Sequence, residues 1–244
     1  MASTHPGLLM VWTDIPDTLE ADFNEWYNRE HMPERILGVP GFMGGRRFIA
    51  SDGGPRYLAV YEATSTAVFF SEPHLALKRH FDPNSKRFVP HFRNTQKMAG
   101  QITAHVGSAE GGVIQVWPVA RAPGREDALR AWVAGHLLPE LLKQRGILAA
   151  WYGERDAAAL ASATADIPRQ TDRFLDGVIV VEGADSNALD GAMPLLAWDR
   201  LAAHGGGPDA PAARLRVCNT VNVKPAAQIG STIEIVDDTR RLKA

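Results

Sequence analysis

Residues 23–41, FNEWYNREHMPERILGVPG, are the most informative stretch of this 244-residue chain. They read as an amphipathic helix that ends in a cluster of reactive side chains: a His, a Tyr, a Trp and several Glu and Arg residues. A plainer copy, LRAWVAGHLLPELLKQRG, recurs at residues 129–146. One chemically rich copy and one apolar copy predict a single fold used twice, with function concentrated in the first copy.

The two copies keep a nearly constant spacing. Val11-Trp12 corresponds to Val116-Trp117 at an offset of 105, and Trp26 and Pro33 correspond to Trp132 and Pro139 at an offset of 106. Apolar periodicity and turn residues predict the order β-α-β-β-α-β on both sides of a small, Gly-rich joint near residue 110. We therefore predict a first repeat over residues 1–109, a second over 110–223, and a C-terminal arm over 224–244 that packs on a neighbouring chain.

The predicted fold class is α+β. Each β-α-β-β-α-β unit is ferredoxin-like, with a four-stranded antiparallel sheet and helices on one face. The two bare sheet faces are expected to pack sheet to sheet, making an intramolecular barrel-like sandwich. Because Pro33 disfavours a helical residue before it, the first helix is expected to break or kink near His31.

Composition excludes several functional classes. The chain has 26 basic and 28 acidic residues without a long run of either sign, so it predicts no nucleic-acid or anionic-membrane partner. A single Cys, Cys218, rules out an internal disulfide and a Cys-based zinc site. The chain contains no apolar run of the ~20 residues that a membrane span needs, and its N-terminus does not read as a signal peptide. A cytoplasmic protein is expected.

The run FNEWYNREHMPERILGVPGF, followed by RRFIA and PRYLAVYE, resembles EthD-type members of the dimeric α+β barrel superfamily. This match covers roughly residues 8–62, and residues 113–151 match more faintly. The resemblance implies ferredoxin-like domains that usually pair as dimers, here fused in tandem, with the pocket between the sheet and the helices of one unit. Superfamily members include cofactor-independent monooxygenases, polyketide cyclases, lactone isomerases and haem enzymes, so the fold does not select a reaction.

His31 is the leading catalytic residue, because an imidazole titrates near neutrality and lies where the helix is expected to break. Alternatively, it is a structural residue that caps the helix end. Glu30 or Glu34 would orient the ring, or form solvated ion pairs. Arg35 or Arg46 would hold an anionic substrate oxygen, or pair with those glutamates.

Aromatic residues around His31 divide between core and pocket. Trp26 is a candidate substrate-binding residue, although its helical spacing favours the core, whereas Tyr27 has a hydroxyl that can donate to a ligand oxygen. Tyr57 and Tyr61 share one face of the third strand and leave room for a flat ligand, or simply fill the core. The sequence does not say which sheet face they occupy.

Histidines elsewhere supply the remaining candidates. His80 or His91 would provide a second catalytic or substrate-binding group from helical pieces over the pocket mouth. The histidine spacings match no compact metal motif, so no metal site is predicted. Haem needs only one proximal His, and His91 or His136 would serve.

The leading hypothesis is a cofactor-independent enzyme acting on a small, flat, oxygenated aromatic or polyketide-like substrate. His31 would be the base, and Tyr27, Tyr57 or Arg46 would hold the developing oxyanion. The reaction would be that of a lyase, isomerase, cyclase or monooxygenase, and a homodimer is possible. The alternatives are a haem enzyme of the same fold and a non-catalytic ligand-binding module.

Overall fold

A continuous, mostly antiparallel sheet organises residues 5–156 and 172–223, which are the residues that this computed structural model describes. Its strands, in chain order, are β1 (Gly7–Asp14), β2 (Phe42–Asp52), β3 (Tyr57–Ala63), β4 (Arg93–Gly107), β5 (Val113–Arg121), β6 (Ile147–Arg155), β7 (Arg173–Phe174), β8 (Gly177–Gly183), β9 (Gly206–Pro208) and β10 (Ala213–Asn222). The predicted C-terminal arm over 224–244 lies outside the described residues.

The strands of the two halves follow the same order. In the first half the order is β4-β1-β3-β2, and in the second it is β10-β5-β8-β6. When the strands are numbered within each half, both orders read 4-1-3-2. The short strands β7 and β9 pair with β4 and β5 respectively.

Two seams join the halves into a closed eight-stranded antiparallel barrel. Strand β2 pairs with β10, and β4 pairs with β6. The sequence predicted two sheet faces packed against each other; these faces do meet in the barrel interior, and the sheets are in addition joined at their edges. Pairing satisfies the backbone N–H and C=O groups that an open edge strand would leave exposed, so the closed form has no free edges among its eight strands. Apolar side chains fill the barrel interior, among them Trp12, Phe48 and Trp151.

The first helical segment runs without a break from Asp17 to Gly38. It comprises a short 3₁₀ turn, α1 (Glu20–Trp26), a wide π-turn (Tyr27–His31) and α2 (Met32–Gly38). Of the predicted break or kink near His31, the break is absent, and the irregularity at this place is a π-turn that ends at His31. Pro33 lies in the first turn of α2, where its missing N–H costs little. The wider turn before it accommodates the proline ring, which would clash with the preceding turn of a regular α-helix.

The second half has the same arrangement of a π-turn followed by a proline. Helix α5 (Glu126–Trp132) passes through a π-turn (Val133–Leu137) into α6 (Leu138–Leu142), with Pro139 in its first turn. Both wide turns end two residues before their prolines, at an offset of 106.

Shorter helices complete each half. In chain order they are α3 (Glu72–Arg79), α4 (Pro83–Phe88), α7 (Ser186–Ala192) and α8 (Trp198–Ala203). Further 3₁₀ turns span Thr66–Phe70, Val89–His91 and Met193–Leu196. Strand β4 follows the turn at Val89–His91 and begins at Arg93. Pro194 and the extended Ala197 separate α7 from α8.

The matched tryptophans of the first strands lie on opposite faces of the barrel. Trp12 belongs to the interior cluster, whereas Trp117 packs under the helices of the second half. Since neighbouring residues of a strand point to opposite faces, the offset of 105 is wrong by one residue. An offset of 106 pairs Val11 with Trp117 and brings the strands into the same register as the helices.

No helix among the described residues is long and apolar enough to cross a membrane.

Candidate functional site

A cavity of about 570 Å³ lies between the sheet and the helices of the first half. Strands β1, β3 and β4 form its floor, and the wide turn, α2 and α3 form its walls. Most of the lining is apolar and aromatic, including Leu9, Val11, Phe69, Phe70 and Phe92. The polar residues at its wall are Tyr27, His31, Arg35, Tyr61, His74, Lys78, Lys97 and Asp172. An apolar cavity with a few converging polar groups is typical of a small-molecule site.

The wide turn brings three of the predicted residues to one side of the helix. Tyr27, His31 and Arg35 are four residues apart, which is more than one α-helical turn and less than one π-turn. Four residues rotate a side chain slightly past a full turn in an α-helix and slightly short of one in a π-turn. Because one turn of each kind follows in sequence, the two rotations offset each other and all three side chains line the cavity. The His31 ring lies 4.6 Å from the Tyr27 ring, centroid to centroid.

Tyr61 extends this group from the sheet. Its hydroxyl donates a hydrogen bond of 3.0 Å to the hydroxyl oxygen of Tyr27. Burial raises the pKa of Tyr61 well above its ordinary value, so Tyr61 remains protonated and remains a donor. Tyr27 thus accepts a hydrogen bond from the sheet while its ring lies beside that of His31.

A buried cation lies behind Tyr27. The guanidinium carbon of Arg47 is 4.5 Å from the Tyr27 ring centroid and 4.6 Å from that of Tyr57. Its Nη1 donates to Asn28 Oδ1 at 2.9 Å, and burial lowers its pKa. Arg47 was not among the predicted site residues; strand alternation puts it on the opposite face of β2 from Arg46.

Arg35 fixes the end of the wide turn. Its Nη1 donates to the His31 carbonyl oxygen at 2.8 Å and lies 3.3 Å from the half-exposed Glu34 carboxylate. This bond holds the backbone of His31, while the Arg35 side chain still lines the cavity.

Helix α3 contributes two further residues, His74 and Lys78, one turn apart. The Nδ1–H of His74 donates to the Phe69 carbonyl oxygen at 2.8 Å, since a carbonyl can only accept. Burial, helped by the positive charge of Lys78, lowers the pKa of His74 to about 3, so its ring is neutral. Burial also lowers the pKa of Lys78 to about 8.

Other predicted site residues lie outside this lining. Trp26 packs behind His31, with 4.3 Å between ring centroids, and stacks on Phe88. It is a core residue. Tyr57 lies on the helix-facing side of β3 but beyond the cavity, where its hydroxyl donates to Glu20 and accepts from Asn24.

Arg46 lies in the barrel interior, away from the cavity. It forms a two-pronged ion pair with Glu182, with N–O distances of 2.5 and 2.7 Å. Glu182 also accepts from Trp151 Nε1 and from the Gly111 amide. Because side chains alternate along β2, Arg46 and Arg47 face opposite sides, and the predicted catalytic Arg46 instead links the two halves.

Three predicted binding residues are at the surface. Glu30 is exposed and accepts from Asn84 Nδ2 at 2.9 Å. His80 and His91, each at the end of a short helical piece, are also exposed and lie outside the lining. The helical spacing of His74, Lys78 and Phe81 was the signal that would have identified the inward face of α3.

The second half has no polar counterpart of the wide-turn group. At an offset of 106, Val133, Leu137 and Leu141 replace Tyr27, His31 and Arg35, and all three are fully buried. They pack with strand residues such as Trp117 and Val181 in one apolar cluster. The space that forms the cavity in the first half is thus filled, and His136, considered as a haem ligand, is exposed.

Metal ligands are not clustered in the part of the chain that the structure describes. Residues 5–156 and 172–223 contain no group of three or more His, Cys, Asp or Glu side chains that could hold a metal ion.

Comparison with known proteins identifies the fold. No protein-family model matches the chain. No curated protein matches it by sequence either. Among solved structures, it is similar to an anthrone oxidase-like protein, with a TM-score of 0.61, 12% identity and coverage of 91% of this chain and 95% of that chain.

Two further solved structures share the fold. One is a candidate monooxygenase from Fusobacterium nucleatum, with a TM-score of 0.59, 11% identity, and coverage of 90% of this chain and 95% of that one. The other is a haem-binding protein from Thermus thermophilus, with a TM-score of 0.52, 10% identity, and coverage of 88% and 92%. The chain therefore shares the α+β barrel fold of these three solved structures.

Proposed function

We propose that the first half of this chain is the active half of a cofactor-independent enzyme, which uses acid–base chemistry on a small, flat, oxygenated substrate. The observation that carries the proposal is the meeting of His31 with the Tyr27–Tyr61 hydroxyl pair on the wall of a largely apolar cavity. An imidazole beside a hydrogen-bond donor suits removal of a proton next to a carbonyl.

The reaction begins when His31 takes a proton from a carbon that is adjacent to the substrate carbonyl or, as in anthrone, conjugated to it through an aromatic ring. Negative charge then develops on the carbonyl oxygen, to which Tyr27 donates its hydroxyl proton in a hydrogen bond. Tyr61 polarises Tyr27 from behind, and the Arg47 guanidinium favours negative charge on that side of the ring. The sequence suggested Tyr27, Tyr57 or Arg46 for holding the developing oxyanion. We assign this role to Tyr27, supported by Tyr61.

Oxygenation is the favoured fate of the resulting carbanion. The supporting observation is that solved structures of this fold include an anthrone oxidase-like protein and a candidate monooxygenase. With anthrone as substrate, O₂ would oxidise the carbanion to anthraquinone and release one water. Return of the proton to another carbon would make the protein an isomerase instead. Bond cleavage would make it a lyase, and ring closure would make it a cyclase.

We further infer that the chain is a tandem, EthD-type member of the superfamily, made of two ferredoxin-like units. Three features support a duplication: the strand order 4-1-3-2 in both halves, the wide turn in both first helices, and the proline two residues after each turn. The sequence run from residue 23 to 42 supports the EthD-type assignment.

Haem binding is a second candidate, favoured by one observation. His74 donates Nδ1–H to a backbone carbonyl, which leaves Nε2 as the lone-pair nitrogen, and second-shell bonds of this kind are common for metal-bound histidines. His74 would hold the iron, which would supply oxygen or peroxide chemistry. The ligands named from sequence, His91 and His136, do not line the cavity.

Oxygen uptake with anthrone tests the proposal. We expect colourless wild-type protein to consume O₂ and form anthraquinone, and His31→Gln to lose at least about a hundredfold in kcat. His80→Gln, which changes an exposed histidine, is the matched control and should keep full activity. Circular dichroism verifies folding of each variant.

Three results would contradict the assignment. Equal rates in wild type and His31→Gln would remove His31 as the base. A Soret band in the purified protein, lost in His74→Ala, would favour the haem candidate. Tight binding of anthrone and of other aromatic ketones, without turnover of any of them, would favour a non-catalytic ligand-binding module.

A further inference from the structure

Lys78 lies on the wall of the cavity. It is half-buried on α3, one turn after His74. The charged groups that act on it are the cations Lys97 of β4 and Arg35 of α2, and both lower its pKa. Within residues 5–156 and 172–223, no acidic side chain makes an ion pair with its amine.

The other charges of the cavity are matched. Lys97 forms an ion pair with Asp172, and Arg35 lies beside Glu34. His74 is neutral because its pKa is about 3. Among the described lysine and arginine residues of the lining, setting these pairs aside leaves the positive charge of Lys78.

We propose that Lys78 binds an anionic oxygen group of the substrate, so that the site selects flat aromatic carboxylates or phenolates over neutral aromatics. The proposal rests on the proposed function, because it places the substrate in the same cavity. His31 lies on the first helix and Lys78 on α3. One end of the ligand would therefore meet the base and another the ammonium group. A charge-assisted hydrogen bond in a cavity of low polarity is stronger than a neutral one.

The amine of Lys78 titrates in an accessible range. Burial first, and then Lys97 and Arg35, lower its pKa to about 8. The ammonium form is therefore dominant below pH 8 and is lost above it, so affinity for an anionic ligand should fall as pH rises through this region. A bound anion favours the ammonium form and moves the transition to higher pH.

Calorimetric titration with two matched probes tests the proposal: 2-naphthoate, which is anionic, and 2-naphthamide, which is neutral and has the same shape. We expect wild-type protein to bind the naphthoate about tenfold or more tightly than the amide at pH 7. In Lys78→Met this preference should fall to near one, with affinity for the amide unchanged. Lys78→Arg should restore the preference, and Lys86→Met, at an exposed position, should keep it.

The outcomes separate this proposal from the proposed reaction. Equal affinities for the two probes in wild type, or an unchanged preference in Lys78→Met, would overturn the assignment of Lys78. His31→Gln should keep the preference, because the base is not needed for binding. A preserved naphthoate preference with no turnover of any substrate would refute the reaction while leaving the anion site in place.

Discussion

Tyr61 donates a hydrogen bond of 3.0 Å to Tyr27, and this bond joins strand β3 to the wide turn of the first helix. Both rings are buried, at 1% and 3% exposure. The bond makes one hydroxyl of the cavity depend on the other, since the buried Tyr61 remains protonated and donates to Tyr27. The sheet thus orients a group that belongs to the helix.

Tyr61→Phe is expected to lower kcat/KM by about ten- to hundredfold, because the polarising donor behind Tyr27 is lost. The free energy of unfolding should fall by only about 1 kcal/mol, as for one hydrogen bond. Tyr57→Phe is the matched control: it removes bonds to Glu20 and Asn24 outside the cavity and should leave kcat/KM unchanged. Steady-state oxygen uptake and urea unfolding measure both. Equal kinetic losses in the two variants would argue against a special role for Tyr61.

The buried ion pair between Arg46 and Glu182 is expected to contribute to stability and not to ligand affinity. In Glu182→Gln, Arg46 would be left buried without a countercharge, and the free energy of unfolding should fall by about 3–5 kcal/mol. The exposed pair Arg29–Glu25 is the matched control, and Arg29→Met should cost about 0.5 kcal/mol or less. Urea denaturation at pH 7 gives both values.

Acid provides a second measurement of the same pair. Burial alone would raise the pKa of Glu182, but the hydrogen bond and charge of Arg46 outweigh it and bring the pKa below 4.5. The stabilisation is therefore present above pH 4.5 and is lost as pH falls through the lower, folded-state pKa. The stability difference between wild type and Glu182→Gln should shrink below pH 4.5. A difference that grows on acidification would contradict this assignment.

Sequence patterns predicted the α+β class, the element order and four of the residues that line the cavity. Tyr27, His31 and Arg35 were found because helical spacing is local, and Tyr61 because alternation along a strand is local too. The wide turn was not predicted. Pro33 indicates that a regular α-helix is disfavoured before it, but it does not determine whether the helix breaks or widens there.

Non-local features account for the misses. Nothing local distinguishes Arg46 from Arg47; their faces depend on which side of β2 the helices cover. Likewise, the joining of the two sheets at their edges depends on pairings between residues that are far apart in sequence, such as Ala50 and Leu215. His80 and His91 lie at the ends of short helical pieces, whereas the residues of α3 that face the cavity, His74 and Lys78, are set by helical phase.

The equivalent positions His31 and Leu137 are expected to show opposite responses to exchange. His31→Leu adds an apolar side chain to a largely apolar wall, so the free energy of unfolding should stay within about 1 kcal/mol of wild type, while turnover is lost. Leu137→His places an imidazole in a fully buried apolar cluster and should cost about 2–4 kcal/mol. Urea denaturation of both variants makes the comparison. A larger loss in His31→Leu would identify His31 as a structural residue.

The seam between β4 and β6 is expected to depend on a glycine at position 100. A Cβ on Gly100 would overlap the carbonyl oxygen of Glu154 on the neighbouring strand, so Gly100→Ala must push the seam apart. We expect the free energy of unfolding to fall by about 3 kcal/mol or more, in the range of severe overpacking. Gly135→Ala is the matched control, because an added Cβ there meets nothing within 4 Å; its stability should be unchanged or higher by up to about 1 kcal/mol. Urea denaturation and amide hydrogen exchange along β4 and β6 report the result. Native stability and unaltered exchange in Gly100→Ala would mean that the two halves are not held together at this seam.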